Sequence, residues 1–465
     1  MAGLFDTLAL GSRSLSTYRK AIDTTGHNLA NVNTEGYTRQ RVVIEATTVD
    51  GGPFGPIGTG SEATKIVRLQ NQATTKQLQT EASIEGSLTV KQDALEQALV
   101  FLQESIDRNG TNGTSTKGIS QGLADFFAAA QNVATNPASV PERQVLLQKA
   151  QELATKFNTA DSRLVSLQAG LNDRVDAEVE QANGLFQEIA KLNESIVAEE
   201  ALSAGYANDL RDTRQVKLEA LSKLVKVDAV EVENGAINIS VSGNLFVDGR
   251  EVANRLESFD GGSGNKLVRV NGQATAVNLT GGSLQGAISV RDGEIATLRD
   301  QIDSLAATFI DEVNTAHRGG FGLNGTTGAD FFTGTGASDI AVNSDLLRDP
   351  SLLQASGAAG QAGNNTVALS LAGLSQSTHA ALGGLTFSGK QAQTITSLGQ
   401  EVSTARAEVA DQKTISEFVR NQRDSVSGVS VDEEMTNLIM FQNAFQASAK
   451  LISMTDELLA TIIEM

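Results

Sequence analysis

Apolar residues recur near both ends of the chain in alternating steps of three and four positions. This heptad spacing keeps one stripe of a helix facing a partner helix. Glycine, serine and threonine interrupt both stripes, so neither helix is predicted to form a strong coiled coil alone, and the two could pair with each other. We call the two sets the N-terminal seam (Leu4, Leu8, Gly11, Leu15, Tyr18, Ile22, Thr25, Leu29) and the C-terminal seam (Leu438, Phe441, Phe445, Ser448, Ile452, Thr455, Leu459, Ile462). We predict that every seam member other than Gly, Ser and Thr is a subunit-interface residue.

An asparagine-rich stretch follows the N-terminal seam. Asn and Gly adopt backbone conformations that other residues resist, so this stretch predicts a helix end and a sharp change of direction. Strand-like alternation over Tyr37, Arg39, Arg41 and Val43 then predicts that the chain leaves the helix axis. We call residues 28–40 the elbow; its candidate functional residues are Asn28, Asn31, Asn33, Thr34, Gly36, Tyr37, Arg39 and Gln40. Their predicted role is backbone geometry and subunit contact, not catalysis.

The middle of the chain predicts a helical body interrupted by a small β insert. Ser139 and Glu142 fit a capping box, in which each residue closes a free amide at the start of a long helix. Asn234-Gly235, between two alternating apolar runs, predicts a tight β-hairpin, and further strands are predicted at Leu267–Val270 and Val277–Leu279. Helices are predicted over 66–106, 119–135, 146–196, 209–224, 295–313 and 394–421, with Phe418 on the apolar face of the last, and loops over 51–60, 109–118 and 319–336.

These elements predict a mainly α fold with a β insert (α+β). We expect residues 1–40 and 430–465 to form a terminal coiled-coil domain that lines an axial channel. Residues 41–225 and 285–429 would form an elongated helical body, and residues 226–284 a small antiparallel outer β-domain.

Charge and composition limit the classes of molecule that the chain is expected to bind. The net charge of −19 among 465 residues repels phosphate backbones and anionic lipid, so we expect neither nucleic acid nor membrane as a partner. No apolar run reaches membrane-spanning length, and no secretory signal pattern opens the chain. The absence of Cys fits either a cytosolic protein without thiols or a protein that works outside the cell without disulfides.

Candidate chemistry is sparse. Gly384–Lys390 has phosphate-loop spacing but is followed by Gln391 instead of Ser or Thr, and no clear strand precedes it. Gly320–Gly325 matches a dinucleotide pattern but follows a predicted helix, and Gly58–Ala63 is a looser form. The acidic run 432–434 is explained by the dipole of the last helix. No second ligand accompanies His27, His317 or His379, so we predict no metal, cofactor or catalytic site. The rival of another class is a nucleotide-using enzyme built on Gly384–Lys390.

Several stretches resemble the axial proteins of the bacterial flagellum. Asn28–Tyr37 is similar to the signature that rod, hook and hook-associated proteins share, and Thr38-Arg39-Gln40 is more similar to hook–filament junction members than to hook or rod members. Phe445 departs from this pattern, because Tyr is usual there. The other matching stretches are 208–214 before Leu218, 281–286 through Asp292, 314–318 leading to Gly325, and 427–434 through Lys450.

The resemblance implies a structural adaptor and no enzyme. Such proteins are held by a dedicated chaperone and exported unfolded through the flagellar type III apparatus, without a cleaved signal. They assemble with copies of themselves as a ring at the hook tip, outside the cell. Hook protein lies below the ring, and the second junction protein lies above it. The alternative is a hook or distal-rod protein, against which the helical body argues.

Overall fold

The computed structural model describes residues 2–47, 49–52, 55–102, 118–202, 205–262 and 264–464. Long helices and small antiparallel sheets make up the fold, which confirms the predicted class. None of the described helices is both long enough and apolar enough to span a bilayer. The helices are α1 Ala2–Ala30, α2 Gln72–Phe101, α3 Ile119–Thr135, α4 Val140–Leu202, α5 Asn208–Leu224, α6 Ser283–Val290, α7 Ala296–Arg318, α8 Ser344–Arg348, α9 Thr366–Gly373, α10 Phe387–Ser427 and α11 Val431–Glu464. The strands are β1 Gln40–Ala46, β2 Val49–Gly52, β3 Gly55–Gly58, β4 Ser61–Arg68, β5 Asp228–Glu231, β6 Ile237–Val241, β7 Asn244–Asp248, β8 Glu251–Val252, β9 Leu256–Asp260, β10 Lys266–Val270, β11 Phe332–Thr333 and β12 Ala341–Val342.

Helix α4 is the longest helix and runs through the body. Its 63 residues extend about 95 Å at 1.5 Å per residue. Half of the predicted capping box forms, because Ser139 Oγ accepts a hydrogen bond from the Glu142 amide at 3.4 Å. The Ser139 amide donates instead to the carbonyl of Asn136 at 3.0 Å, so the Glu142 side chain is not needed there.

The body core lies where α2, α3, α5, α6 and α7 pack around α4, while α10 packs on α2, α3 and α7. Helices α6 and α7 are joined by a π-helical turn, Arg291–Ile295. The turn carries the fully buried Arg291, whose Nη1 donates to Asn172 Oδ1 and Lys266 O, each at 2.7 Å. Six phenylalanines meet at the core between α3, α7 and α10: Phe126, Phe127, Phe309, Phe331, Phe332 and Phe387.

The β insert is an antiparallel sheet in the order β5-β6-β7-β8, with β9–β10 as a separate hairpin. The hairpin at Asn234-Gly235 is confirmed, and Gly235 adopts φ 82°. The strand predicted at Leu267–Val270 is confirmed within β10. The strand predicted at Val277–Leu279 is wrong, because residues 277–279 belong to no strand. The preceding Ala276 makes a single bridge to Arg269 of β10, and the Val277 amide donates to the Val268 carbonyl at 2.8 Å.

Other differences lie around the elbow and the last body helix. The predicted loop 51–60 contains β2 and β3, and the body begins with the β1–β4 hairpin, so the region after residue 40 is not wholly helical. Ile66 lies in β4, because α2 starts only where Asn71 Oδ1 accepts from the amide of Ala73 at 3.0 Å. Phe418 is 67% exposed on the outer side of α10, not on its buried face. The predicted loop 109–117 lies outside the described residues.

Candidate functional site

The two seams belong to helices that pack against each other within one chain. Helices α1 and α11 are antiparallel, since Gly11 lies beside Ile452 while Asn28 lies beside Glu434. A Cβ atom added at Gly11 would lie 2.6 Å from Ile452 Cγ1, so glycine permits the close approach. The other seam residues are buried or half-buried, except Ile462, which is exposed. We call α1 and α11 the terminal pair.

A second seam on α1, one position away from the predicted one, faces the β1–β4 hairpin. It is more deeply buried than the apolar seam, and Thr17 Oγ1 donates to the carbonyl of Ser61 at 3.2 Å. Small and polar residues do not stand out in an apolar pattern, so sequence reasoning missed it. Its buried members are Thr17, Ala21, Thr24 and Asn28.

Helix α11 carries an outer stripe of apolar residues that the single chain leaves exposed. From Leu451 onward these residues also recur in steps of three and four, so they share one helix face. The outer stripe consists of Met440, Leu451, Met454, Leu458 and Ile462. A contiguous apolar face of this kind marks an interaction surface.

The elbow begins where predicted. Helix α1 ends at Ala30, and the backbone turns through residues 31–36 to β1. Asn31 Nδ2 donates to the carbonyl of His27 at 3.0 Å, and Thr34 Oγ1 donates to Asn31 Oδ1 at 3.1 Å. Gly36 has φ 78°, and a Cβ atom there would collide with the side chain of Val216, so glycine is required. Asn33 is exposed.

Asn28 is the hub of the elbow and is only 1% exposed. Its Oδ1 accepts from the Gln40 amide at 2.9 Å and from Tyr37 Oη at 2.8 Å. Its Nδ2 donates to the Gln40 carbonyl at 2.8 Å and to Glu434 Oε2 at 3.0 Å. All four hydrogen-bonding positions of the amide are therefore used.

Arg39 connects the elbow to the start of α11. Its Nε donates to Glu434 Oε1 at 2.8 Å and its Nη1 to Glu433 Oε2 at 2.6 Å, while its amide donates to the carbonyl of Ser427 at 2.8 Å. Glu434 is only 2% exposed. A buried carboxylate needs a counter-charge and hydrogen-bond donors, and Arg39 and the Asn28 amide supply them. The acidic run 432–434 does lie in the first turn of α11, but two of its members also bind the elbow.

Helix α5 holds the elbow from the body side. Gln40 Nε2 donates to Asp209 Oδ1 at 2.8 Å. The Thr38 amide donates to Asp212 Oδ2 at 2.9 Å, and Arg68 Nη1 donates to Asp212 Oδ1 at 2.8 Å. Burial raises the pKa of the Asp212 carboxyl, although Arg68 and Thr38 act in the opposite direction.

Tyr37 and His27 close the outer side of the elbow. Their rings meet edge to face, and His27 Nδ1 lies 3.0 Å from Tyr37 Oη. Burial raises the pKa of the Tyr37 phenol well above its usual range, with Asp209, Asp212 and Glu434 contributing. The phenol is therefore a hydrogen-bond donor, and the site orients backbone segments.

The structure brings Asn28, Tyr37, Arg39 and Gln40 into this network and leaves Asn33 outside it. Sequence reasoning missed the five carboxylate and guanidinium partners, because they come from segments remote in sequence. The only available signal was an arginine in the elbow and acidic runs elsewhere. The missed partners are Arg68, Asp209, Asp212, Glu433 and Glu434.

The phosphate-loop pattern is not preceded by the strand that a phosphate-binding loop follows. A 3-10 turn, Ala380–Leu382, precedes it, and the fully buried Phe387 starts α10 in its middle. The dinucleotide pattern at Gly320 follows helix α7, as predicted. His317 makes structural hydrogen bonds, with Nδ1 donating to the Ala329 carbonyl at 2.7 Å and Nε2 accepting from the Gln354 amide at 3.0 Å.

Three segments of the chain match models of flagellar protein families. Residues 105–332 match the flagellar hook-associated protein FlgK helical domain. Residues 8–38 match the flagella basal body rod protein family, and residues 420–465 match the flagellar basal body rod FlgEFG protein C-terminal family. The last two matches cover most of the terminal pair.

Curated relatives match nearly the whole chain. The flagellar hook-associated protein 1 of Bacillus subtilis is 28% identical, and the alignment covers 100% of this chain and 98% of that protein. The protein of the same name from Escherichia coli is 24% identical, with 97% of each covered. The flagellar hook junction protein FlgK from Burkholderia pseudomallei has the same fold, with a TM-score of 0.64 and 15% identity over 76% of this chain and 100% of that one.

Proposed function

We propose that the chain is a flagellar hook-associated protein, a structural adaptor that joins hook to filament; the matches to that family's helical domain and to its curated members support this. In this proposal it assembles with further copies of itself as a ring at the hook tip. Hook protein lies below the ring and the second junction protein above it. The chain is exported by the flagellar type III apparatus, after a chaperone has held it.

The outer stripe of α11 carries the proposal. Within one chain the C-terminal seam, apart from Ile462, already packs on α1, so the terminal pair buries one apolar face of α11 and leaves another exposed. A second copy is the occupant that fits, because the stripe has the spacing of a helix-packing face. Residues 1–40 with 430–465 would then line the channel. Residues 41–225 with 285–429, and the insert 226–284, would lie outside.

The elbow supports the same arrangement. Asn28, Arg39 and Gln40 connect the terminal pair to α5 and β1 through buried polar contacts, which fix the angle between the pair and the body. An adaptor between two tubes needs such a fixed angle in every copy.

The outer stripe can be tested with a matched pair of variants. Leu458→Asp places a charge on the stripe, whereas Leu202→Asp places it on another exposed leucine, at the end of α4. Both purified monomers should melt within about 2 °C of the parent, because surface substitutions change stability little. Cells carrying only Leu458→Asp should release flagellin into the medium and lack long filaments, as scored by electron microscopy.

Normal filaments on Leu458→Asp cells would overturn the proposal, as would equal loss of filaments with Leu202→Asp. The alternative of a hook or distal-rod protein is weighed by the position of a labelled copy. Label along the whole hook would favour the alternative, and label confined to the hook tip favours the junction. The match of 105–332 to the hook-associated helical domain supports the junction.

A further inference from the structure

A small cavity lies where the end of β4, the start of α2, helix α5 and the β insert meet. Its lining includes four cationic side chains, Arg68, Lys76, Arg211 and Arg214, and one acidic side chain, Glu231. This is a local excess of positive charge in a chain whose net charge is −19.

Two of the four cations are already compensated. Arg211 donates from Nε and Nη2 to Glu200, at 2.6 and 2.9 Å, and from Nη1 to Glu231 at 2.6 Å. Arg68 binds Asp212. These carboxylates bind Arg211 and Arg68 directly, and none of them forms an ion pair with Arg214 or Lys76.

Arg214 is the unusual member, because it is only 4% exposed. Its Nη1 donates to Asn193 Oδ1 at 2.8 Å and to the Gly235 carbonyl at 2.7 Å. Within the described part of the chain, no acceptor takes a hydrogen bond from its Nε or Nη2, and no carboxylate lies within ion-pairing distance. Burial of an arginine without a counter-charge is costly, and desolvation lowers the pKa of Arg214 to about 10.

The two free nitrogens of Arg214 form one edge of a planar guanidinium fork. Such an edge matches the two oxygens of a carboxylate or phosphate group. Lys76, exposed at the rim and without an ion pair among the described residues, adds a second charge. The amides of Gln70, Gln72 and Gln79 line the same cavity and supply further donors.

We propose that this cavity binds one small oxyanion, a carboxylate or a phosphate, through Nε and Nη2 of Arg214 with Lys76 beside it. The cavity, about 200 Å³ in volume, admits an ion of that size. The bound ion supplies a directly paired counter-charge, which Arg214 lacks. It would also connect the body helices α2 and α5 to the strands that flank them, and so stabilise the junction between body and β insert.

Thermal unfolding of the full chain tests the proposal. Sodium phosphate, sulfate and acetate are each titrated at constant ionic strength, with sodium chloride as the reference. The melting temperature should rise saturably with at least one oxyanion, because a ligand that binds only the folded state stabilises it. A stronger response to phosphate or sulfate identifies a phosphate-type site, and a stronger response to acetate identifies a carboxylate site.

Three variants assign the effect to the cavity. Arg214→Lys keeps the charge but removes the fork, and Lys76→Gln removes an exposed charge with no partner to lose. Each should raise the dissociation constant about tenfold or more, since a charge-assisted hydrogen bond is worth that much. Arg348→Gln, an exposed side chain on α8, removes the same charge elsewhere and should bind as the parent does.

Two results would overturn the proposal. One is a melting temperature that responds to none of the oxyanions beyond the chloride reference. The other is an equal response in the parent, Arg214→Lys, Lys76→Gln and Arg348→Gln, which would show general ionic screening instead of a site. Because Lys76 is exposed, the Lys76→Gln variant gives an answer even if Arg214→Lys fails to fold.

Discussion

Asparagine side chains on helices repeatedly pair with the edges of strands. Asn28 binds both the amide and the carbonyl of Gln40. Asn183 does the same with Leu256, at 2.9 and 2.8 Å, and Asn193 with Ile237, at 3.2 and 2.8 Å. A carboxamide can do this because it carries an acceptor and donors in one plane, as a peptide group does. The sequence alone predicted Asn28 as a helix-end residue. Its distant partners could not be predicted, because no nearby residue pattern points to them.

The Asn28→Asp substitution tests this role of the amide. The carboxylate keeps the shape but cannot donate to the Gln40 carbonyl, and it brings a negative charge against the buried Glu434. The free energy of unfolding should fall by about 2–3 kcal/mol, as measured by chemical denaturation. Asn33→Asp, an exposed neighbour in the same elbow, should change it by less than about 0.5 kcal/mol. Equal effects of the two substitutions would contradict the assigned role of Asn28.

His317 predicts a pH dependence of stability. Burial lowers its pKa to about 4 in the folded chain, against 6.5 when unfolded. The folded state therefore prefers the neutral ring, so the stabilisation is fully present above pH 6.5 and is lost as the pH falls from 6.5 to 4. The loss is about 3 kcal/mol, at 1.4 kcal/mol per pH unit. The stability difference between the parent and His317→Gln should shrink by that amount between pH 7 and pH 4, and a constant difference would contradict it.

At the scale of elements, apolar periodicity located the helices well. Helix α3 has the predicted bounds, and the terminal helices, α4, α5 and α7 lie where the steps of three and four placed them. Periodicity failed where packing is made by small or polar side chains, as on the face of α1 against the hairpin. The alternation through Val43 did indicate β1, but periodicity failed at 49–68, where a Gly- and Pro-rich middle obscured β2, β3 and β4.

The close contact of α1 with α11 predicts opposite effects for two glycines on one helix. Gly11→Ala places a Cβ atom against Ile452 and should destabilise the terminal pair by about 1–2 kcal/mol. Gly26→Ala meets nothing within 4 Å and should stabilise α1 by up to about 1 kcal/mol through helix propensity. Amide hydrogen exchange in α1 would measure both. Slower exchange in Gly11→Ala would contradict the predicted close contact.

At the scale of the molecule, the attachment of the terminal pair to the elbow depends on one buried carboxylate, that of Glu434. Glu434→Gln removes the charge that Arg39 and Asn28 bind, so the pair should detach from the elbow more often. Amide exchange in α11 should rise about tenfold or more, while exchange in α4 stays unchanged. Glu433→Gln removes the more exposed of the two Arg39 partners and should have a small effect. A rise confined to Glu433→Gln would contradict this ranking.

The partners of the elbow lie far apart along the chain, and this separation determines when their contact can form. Asn28 and Glu434 are separated by 406 residues, and Arg39 and Glu434 by 395. A chain threaded end-first through a narrow passage delivers one of these partners early and the other late, whichever end leads. The contact can therefore form only after almost the whole chain has emerged, and a truncated chain that lacks α11 leaves α1 with only the β1–β4 hairpin to pack against.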